Sequence, residues 1–388
     1  MKKTRCIKVL LTLLSLTILI YPSKKSFALE NNDVSKIKQN IKQYFGSEFE
    51  SIKSGQAIDE SKIIYNNELK EFTNLRNSRE VLWHRKLNNK LYYYNIDIRY
   101  TSLNIDGDMA TVNLSKDTEF SFEKTKDKVS KEFNNKHKIS LKKVKDSWQI
   151  VQDKDNSEEM DVSQDNFEAS NLIDSNNINE KIQSLKNSLA NIDEEVNQYM
   201  RLKQNNIEKS LSKKLITNLS SFEGHTWQVD YNRSAAINYA RKWAYSRNPD
   251  YTNCPADCTN FVSQAVYAGA PKMNIISNWA TTSLIAGKAW VLVDNFWSFL
   301  VNNTGSGPIA MDNTHNLDID LGDVVQLWNN DEGCYHHTII ITDMDDYGGL
   351  YYCAHTTDRK DYSLDQAYAG GAYNYDKQRT AHIFGYNN

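Results

Sequence analysis

Cys258 follows an aspartate in the stretch Asp257-Cys258-Thr259-Asn260-Phe261-Val262-Ser263-Gln264, and four chemistries are open to it: core residue, disulfide half, metal ligand or nucleophile. Asp257 suits a helix cap, Phe261, Val262, Ala265 and Val266 form an apolar face, and Gly269 and Pro271 end the run. The spacing predicts a helix whose first turn holds Cys258. Unpaired backbone N–H groups and the positive end of the helix dipole lower a thiol's pKa there, which favours a nucleophile.

A thiolate nucleophile needs a base. After a predicted strand from Asp323 to Trp328 the chain gives His336-His337-Thr338-Ile339-Ile340-Ile341-Thr342, then a Gly-containing turn, then Leu350-Tyr351-Tyr352-Cys353-Ala354-His355. Two β-prone runs about a turn predict a hairpin. With the turn centred near Asp346, His337 lies opposite His355 and the two imidazoles touch, since opposed side chains sit about 5 Å apart. A one-residue slip brings His336 onto that face instead, so the choice between the neighbouring histidines stays open. A cysteine on a helix start, an imidazole on a strand and a polar group on the next strand supply a nucleophile, a base and an orienter of the base.

The rival chemistries fit less well. Cys254, Cys258, His336 and His337 lack the second close ligand pair of an ordinary zinc site. Apart from Cys6, the cysteines are Cys254, Cys258, Cys334 and Cys353, too few and too late for a disulfide scaffold, although Cys334 and Cys353 flank the predicted hairpin. His84, His137, His225, His315 and His382 have no partner signal and are read as structural, and Trp279, Trp290 and Trp297 as core or groove wall.

These pieces need a scaffold, and composition divides the chain. Lys2, Lys3, Arg5 and Lys8 precede an apolar run from Val9 to Tyr21, with Ser26-Phe27-Ala28 after it, which reads as a secretory signal peptide over 1–28. Cys6 lies before the apolar run, so no lipid anchor is expected, and no later run is long enough to span a bilayer. Residues 29–151 alternate with period two over Leu91–Ile98, Met109–Leu114, Lys138–Val144 and Ser147–Val151, behind a helix from Val34 to Phe45, and predict a small α+β meander domain. A polar, acidic linker follows over 152–178. Ile182, Leu185, Leu189, Ile192, Val196 and Tyr199 then step by three and four within an amphipathic helix over 179–216, readable as a spacer, a helix packed on a neighbouring domain, or a dimer seam. The net charge of -3 argues against a nucleic-acid binder.

Residues 227–388 carry the chemistry. Asp257–Gln264, the preceding "AAINYARKWAYSRNPDY", and the later "GDVVQLW", "HHTIIITD" and "YYCAHTTDRKDYSL" resemble the amidase domain of secreted Firmicute proteins, a branch of the papain-like cysteine peptidases related to the NlpC-type endopeptidases and the CHAP amidases. The resemblance covers residues 228–386. It implies an α+β fold with a helix-borne cysteine packed on an antiparallel sheet. It also implies Cys258 as nucleophile, His337 as base because it directly precedes Thr338 and the apolar strand, and His355 as orienter, with Asp358 the alternative. Asp257 and Asn260 would shape the oxyanion pocket. No metal or cofactor is implied, and the expected substrate is cell-wall peptidoglycan, at its stem peptides or lactyl amide, outside the cell. A wall-binding module with a degenerate site and an acyltransferase are the alternatives. The earlier domain resembles, by pattern alone, the cystatin-like and nuclear-transport-factor-like cones.

Overall fold

The computed structural model describes residues 24–155, 175–212, 221–222, 224–313 and 319–388. The first half opens with α1 (Lys24–Ser54) and α2 (Asn67–Lys86), followed by β1 (Leu91–Asp106), β2 (Met109–Phe122), β3 (Ser130–Val144) and β4 (Ser147–Asp155). The strands pair antiparallel in chain order, as their alternation predicts. Two-residue turns close the first and last hairpins, with Gly107 and Lys145 at positive φ. Ala110, Val112, Leu114, Ile139, Leu141, Trp148 and Ile150 pack with Ile37, Ile41, Tyr44 and Phe45 of α1 into one core.

Two features depart from the sequence expectation. The helix read over Val34–Phe45 extends at both ends, starting inside the stretch read as a leader, most of which lies outside the described residues. No helix is expected at α2, because its buried face carries Thr73, Asn77, Arg79, Glu80 and His84, and no apolar period marks it.

Of the expected linker, residues 156–174 lie outside the described residues, while 152–155 finish β4. Where one spacer helix is expected there are two, α3 (Ser175–Ala190) and α4 (Ile192–Ser212), broken at Asn191. Ile182 joins the core under α1, and Ile192, Val196 and Tyr199 pack with Trp83 and Phe120. The stripe read as a candidate dimer seam is therefore covered by the chain itself.

The second half runs β5 (Ser221–Phe222), β6 (His225–Thr226), β7 (Val229–Asp230), α5 (Arg233–Trp243), α6 (Cys258–Gly269), α7 (Lys288–Val291), α8 (Val293–Asn302), β8 (Gly307–Asp312), β9 (Val324–Asn329), β10 (Cys334–Met344), β11 (Leu350–Ala354), β12 (Asp358–Ser363), α9 (Leu364–Ala369) and β13 (Tyr373–Asn387). The fold is α+β. Eleven strands form one sheet in the order β1-β2-β3-β12-β11-β10-β9-β13-β7, with β4 on β3 and β8 on β13. The halves meet where Asp358, Arg359 and Lys360 pair with Phe133, Glu132 and Lys131.

β10 is buried on both faces, so its residues alternate between two cores. Ile340 packs with Phe261, Val262 and Ala265 of α6, whereas Ile339 and Ile341 pack with Trp83, Tyr199 and Tyr352. Gly269 ends α6 where any Cβ would lie 2.3 Å from the Tyr231 ring, so the helix closes against the chain entering α5 only because that residue lacks a side chain. No helix among the described residues is long and apolar enough to cross a membrane.

Candidate active site

α6 begins at Cys258, as the sequence predicts, and the thiol is nearly covered at 7% exposure. Asp257 holds the cap position but makes no side-chain cap hydrogen bond. Its carboxylate turns instead to His355 Nδ1 at 2.5 Å, Asn260 Nδ2 at 2.6 Å and Arg247 Nε at 2.9 Å. Three donors on one buried carboxylate fix the backbone directly before the cysteine.

His337 sits on β10 just past a bulge between Tyr335 and His337, opposite Leu327 of β9. Burial pushes the Cys258 thiol up, but a hydrogen bond and charge from His337, with smaller help from the Thr338 backbone and the Thr259 hydroxyl, bring it down to about 7. Burial raises Cys353 to about 12, and burial with the Asp257 charge raises Cys254 to about 11. Of these three thiols Cys258 is thus the one poised to ionise near neutrality.

The helix and strand are joined next to Cys258 and His337. Thr259 Oγ1 lies 2.9 Å from Thr338 Oγ1, and Gln326 Nε2 donates to Thr338 Oγ1 at 3.3 Å and to the Val293 carbonyl at 2.8 Å. Arg379 Nε in turn donates to Gln326 Oε1 at 2.7 Å.

His336 also lies close enough to Cys258 and His337 for their charges to be felt. The bulge interrupts the strict alternation of the strand, which explains how adjacent imidazoles both serve one locality. Burial works against a charge on His336, and Glu332 Oε2, at 2.7 Å from its Nδ1, more than offsets it and raises its pKa.

His355 corrects the expected register. Ile340 pairs with Cys353 and Ile341 with Tyr352, with a further bulge before Asp343. Carried on, that register sets Thr338 rather than His337 level with His355, and β11 has already ended at Ala354. The imidazole stacks on Phe261 at 3.9 Å, with Nδ1 on Asp257 and Nε2 2.8 Å from the Trp243 carbonyl. Both ring nitrogens are engaged away from His337. Asp358, the alternative orienter, meets Arg247 Nη2 at 2.9 Å and so joins the Asp257 network.

Asn260 is consumed as a brace: its Nδ2 donates to Asp257 and to the Thr252 carbonyl, and its Oδ1 accepts from Trp290 Nε1 at 2.8 Å. It holds the loop before Cys258 rather than offering a donor to substrate. Trp279 and Trp290 are fully buried, and Trp297 is half-buried against the Arg379 guanidinium. His84 and His137 are buried with partners, Gln366 and Asp153, and His382 bonds Asp323, while His315 lies outside the described residues. Sequence reasoning misses Arg247, Thr338, Gln326 and Glu332. Only Glu332, four positions before His336 across a Gly-containing turn, carries a signal that could have found it.

Residues 230–383 match the family described as "Putative amidase domain". Amide hydrolysis is therefore the activity class indicated for the C-terminal region. Two curated proteins of Bacillus subtilis (strain 168) are similar. "Uncharacterized protein YhbB" is 30% identical over 119 residues, 30% of this chain and 38% of that protein. "Uncharacterized protein YjcM" is 29% identical over 191 residues, 47% of this chain and 43% of that protein. The chain spans less than half the length of these relatives. No solved structure matches.

Proposed function

We propose that this chain is a cysteine-dependent amide hydrolase with a papain-like dyad of Cys258 and His337. The observation that carries the reading is a buried thiol at a helix start whose pKa is drawn down to about 7 by an imidazole on the adjoining strand. The thiolate attacks the amide carbonyl carbon, and the Cys258 backbone N–H is the natural first donor to the oxyanion. Imidazolium of His337 then gives its proton to the leaving amine as the C–N bond breaks, leaving a thioester. Water attacks the thioester carbonyl, His337 takes the water proton, and the thiolate departs with release of a carboxylic acid.

In this reading Asp257, Arg247 and His355 position the nucleophile from behind. The basic, apolar leader pattern and the resemblance to secreted wall amidases favour export and a peptidoglycan amide as substrate, in the stem peptide or at the lactyl group. The experiment is mass spectrometry of purified wall fragments digested by wild type and by Cys258→Ala. New amine and carboxylate ends should appear with wild type alone. Identical digests defeat the wall-hydrolase reading and leave a binding module, and an amine-capped product in place of the acid indicates acyl transfer.

A further inference from the structure

The turn between β9 and β10 and the first residues of β10 carry three donor side chains that the reaction above does not use. Glu332, Cys334 and His336 place a carboxylate oxygen, a sulfur and a ring nitrogen all within 4.8 Å of one another. Glu332 Oε2 is the centre of the group, 2.7 Å from His336 Nδ1 and 3.8 Å from Cys334 Sγ.

The backbone beneath them is fixed. Buried Asn329 accepts the amides of Asp331 and Glu332 on its side-chain oxygen, at 2.8 and 3.2 Å, and the Gly333 amide on its carbonyl at 3.0 Å. Gly333 turns the chain at a φ of 65°. The bulge at His336 turns its ring toward the side where Glu332 and Cys334 lie, as the common 4.8 Å reach of their ligand atoms shows. Cys334 is exposed while Glu332 and His336 are half-buried, which leaves the group open to solvent on one side.

Two other clusters have comparable spacing and fit a metal less well. Around Asp320, Asp323 and His382 the Arg233 guanidinium already sits 2.7 Å from Asp323, a resident cation that repels a second. His137, Asp153 and Asp155 offer no sulfur and are mostly buried. Thiolate, imidazole and carboxylate together are the donor set of Zn²⁺, which binds them at about 2.0–2.3 Å in a tetrahedron. Donor atoms about 3.3–3.8 Å apart satisfy that geometry, and the present spacing brackets it.

We propose that Glu332, Cys334 and His336 form a zinc site next to His337 at the start of β10, and that its occupancy inhibits the enzyme. Three protein ligands leave the fourth position open. His336 directly precedes His337 on β10, so an ion held on its ring sets a double positive charge next to the imidazole proposed to carry the proton. The inhibitory half rests on the hydrolase reading, whereas the binding half does not.

The test starts with the full chain carrying Cys258→Ala, so that the nucleophile cannot itself be the ligand. Zinc is titrated in competition with a chromogenic chelator. One ion per chain should bind. Cys334→Ser should weaken it about tenfold or more and Glu332→Gln several-fold, with circular dichroism unchanged, while Asp153→Asn should bind as before. Equal affinity in Cys334→Ser and its parent, or loss of binding in Asp153→Asn, overturns the site. Hydrolysis by the wild type is then followed with added zinc and with chelator. Inhibition should be relieved by chelator and should need about tenfold more zinc in Cys334→Ser. Zinc that binds but leaves hydrolysis unchanged overturns inhibition alone, and a chain that hydrolyses no amide fails the hydrolase reading while the binding titration still decides the site.

Discussion

The hydroxyls of Thr259 and Thr338 lie 2.9 Å apart, tying the helix that begins at Cys258 to the strand that carries His337. Both are fully buried, and each neighbours one member of the dyad in the chain. Replacing Thr259 by Val keeps the shape and removes the bridge, at a cost of about 1–2 kcal/mol in stability. The reaction geometry should suffer more than binding, so kcat is expected to fall about tenfold with KM little changed. An unchanged kcat in Thr259→Val, alongside a lowered Tm, would show the bridge to be purely structural.

The thiol itself gives a pH signature. Cys258 lies lowered to about 7, so its thiolate accumulates above that pH and alkylation by iodoacetamide should rise with a midpoint there. In His337→Ala the sulfur keeps only the smaller help of Thr338 and Thr259 against its burial, and the midpoint should rise by about a unit or more. A midpoint that stays near 7 in that variant would remove His337 from the account.

His355 separates an orienting role from a scaffolding one. Its two nitrogens are held by Asp257 and the Trp243 carbonyl, so His355→Ala should open a cavity under Phe261 and cost about 2–3 kcal/mol. The Cys258 alkylation midpoint should hardly move. A shift of about a unit or more with Tm intact would instead support the orienter expected from the sequence.

The contact between the two halves has its own titration. Burial lowers His84 from 6.5 to about 4, and its Nε2 meets Gln366 Oε1 across the joint at 2.8 Å. The unfolded chain therefore binds the proton more readily than the folded one between those values. The stability this contributes is present above about pH 6.5 and is lost as pH falls toward 4, to the extent of about 3 kcal/mol. Glu60, raised to about 7 chiefly by its burial, acts with the opposite sign in the same window. The comparison must therefore be made between wild type and His84→Gln. Denaturant curves at pH 4.5 and 7 should show a smaller pH dependence of the His84 kind in the variant, and identical slopes would refute it.

How much of this was legible in the sequence depends on what the elements bury. The α6 helix and the β10 strand are apolar at their own periods, and Cys258 and His337 fall where the patterns put them. α2 is invisible because Thr73, Asn77, Arg79 and Glu80 fill its inner face. The level of His355 differs from the expected one because Met344 pairs with Leu350, which centres the turn at 347 and not 346, and the bulge between Ile341 and Asp343 takes back only part of that slip. Asp257 has the position of a cap, but its carboxylate is drawn off by an imidazole nearly a hundred residues later. Such long-range polar contacts leave no local trace.

The pairing of β3 with β12 makes the two halves one sheet, held also by the Phe133 ring lying 3.9 Å from that of Tyr245. A shortened protein that starts near residue 227 would expose the outer side of β12 as a bare row of amide and carbonyl groups, the kind of border on which strangers nucleate fibrils. It would also release the strand holding Asp358, and through Arg247 the residue just before Cys258. Cutting the chain at its compositional boundary would thus yield a stickier and slacker object, not a smaller version of the same fold.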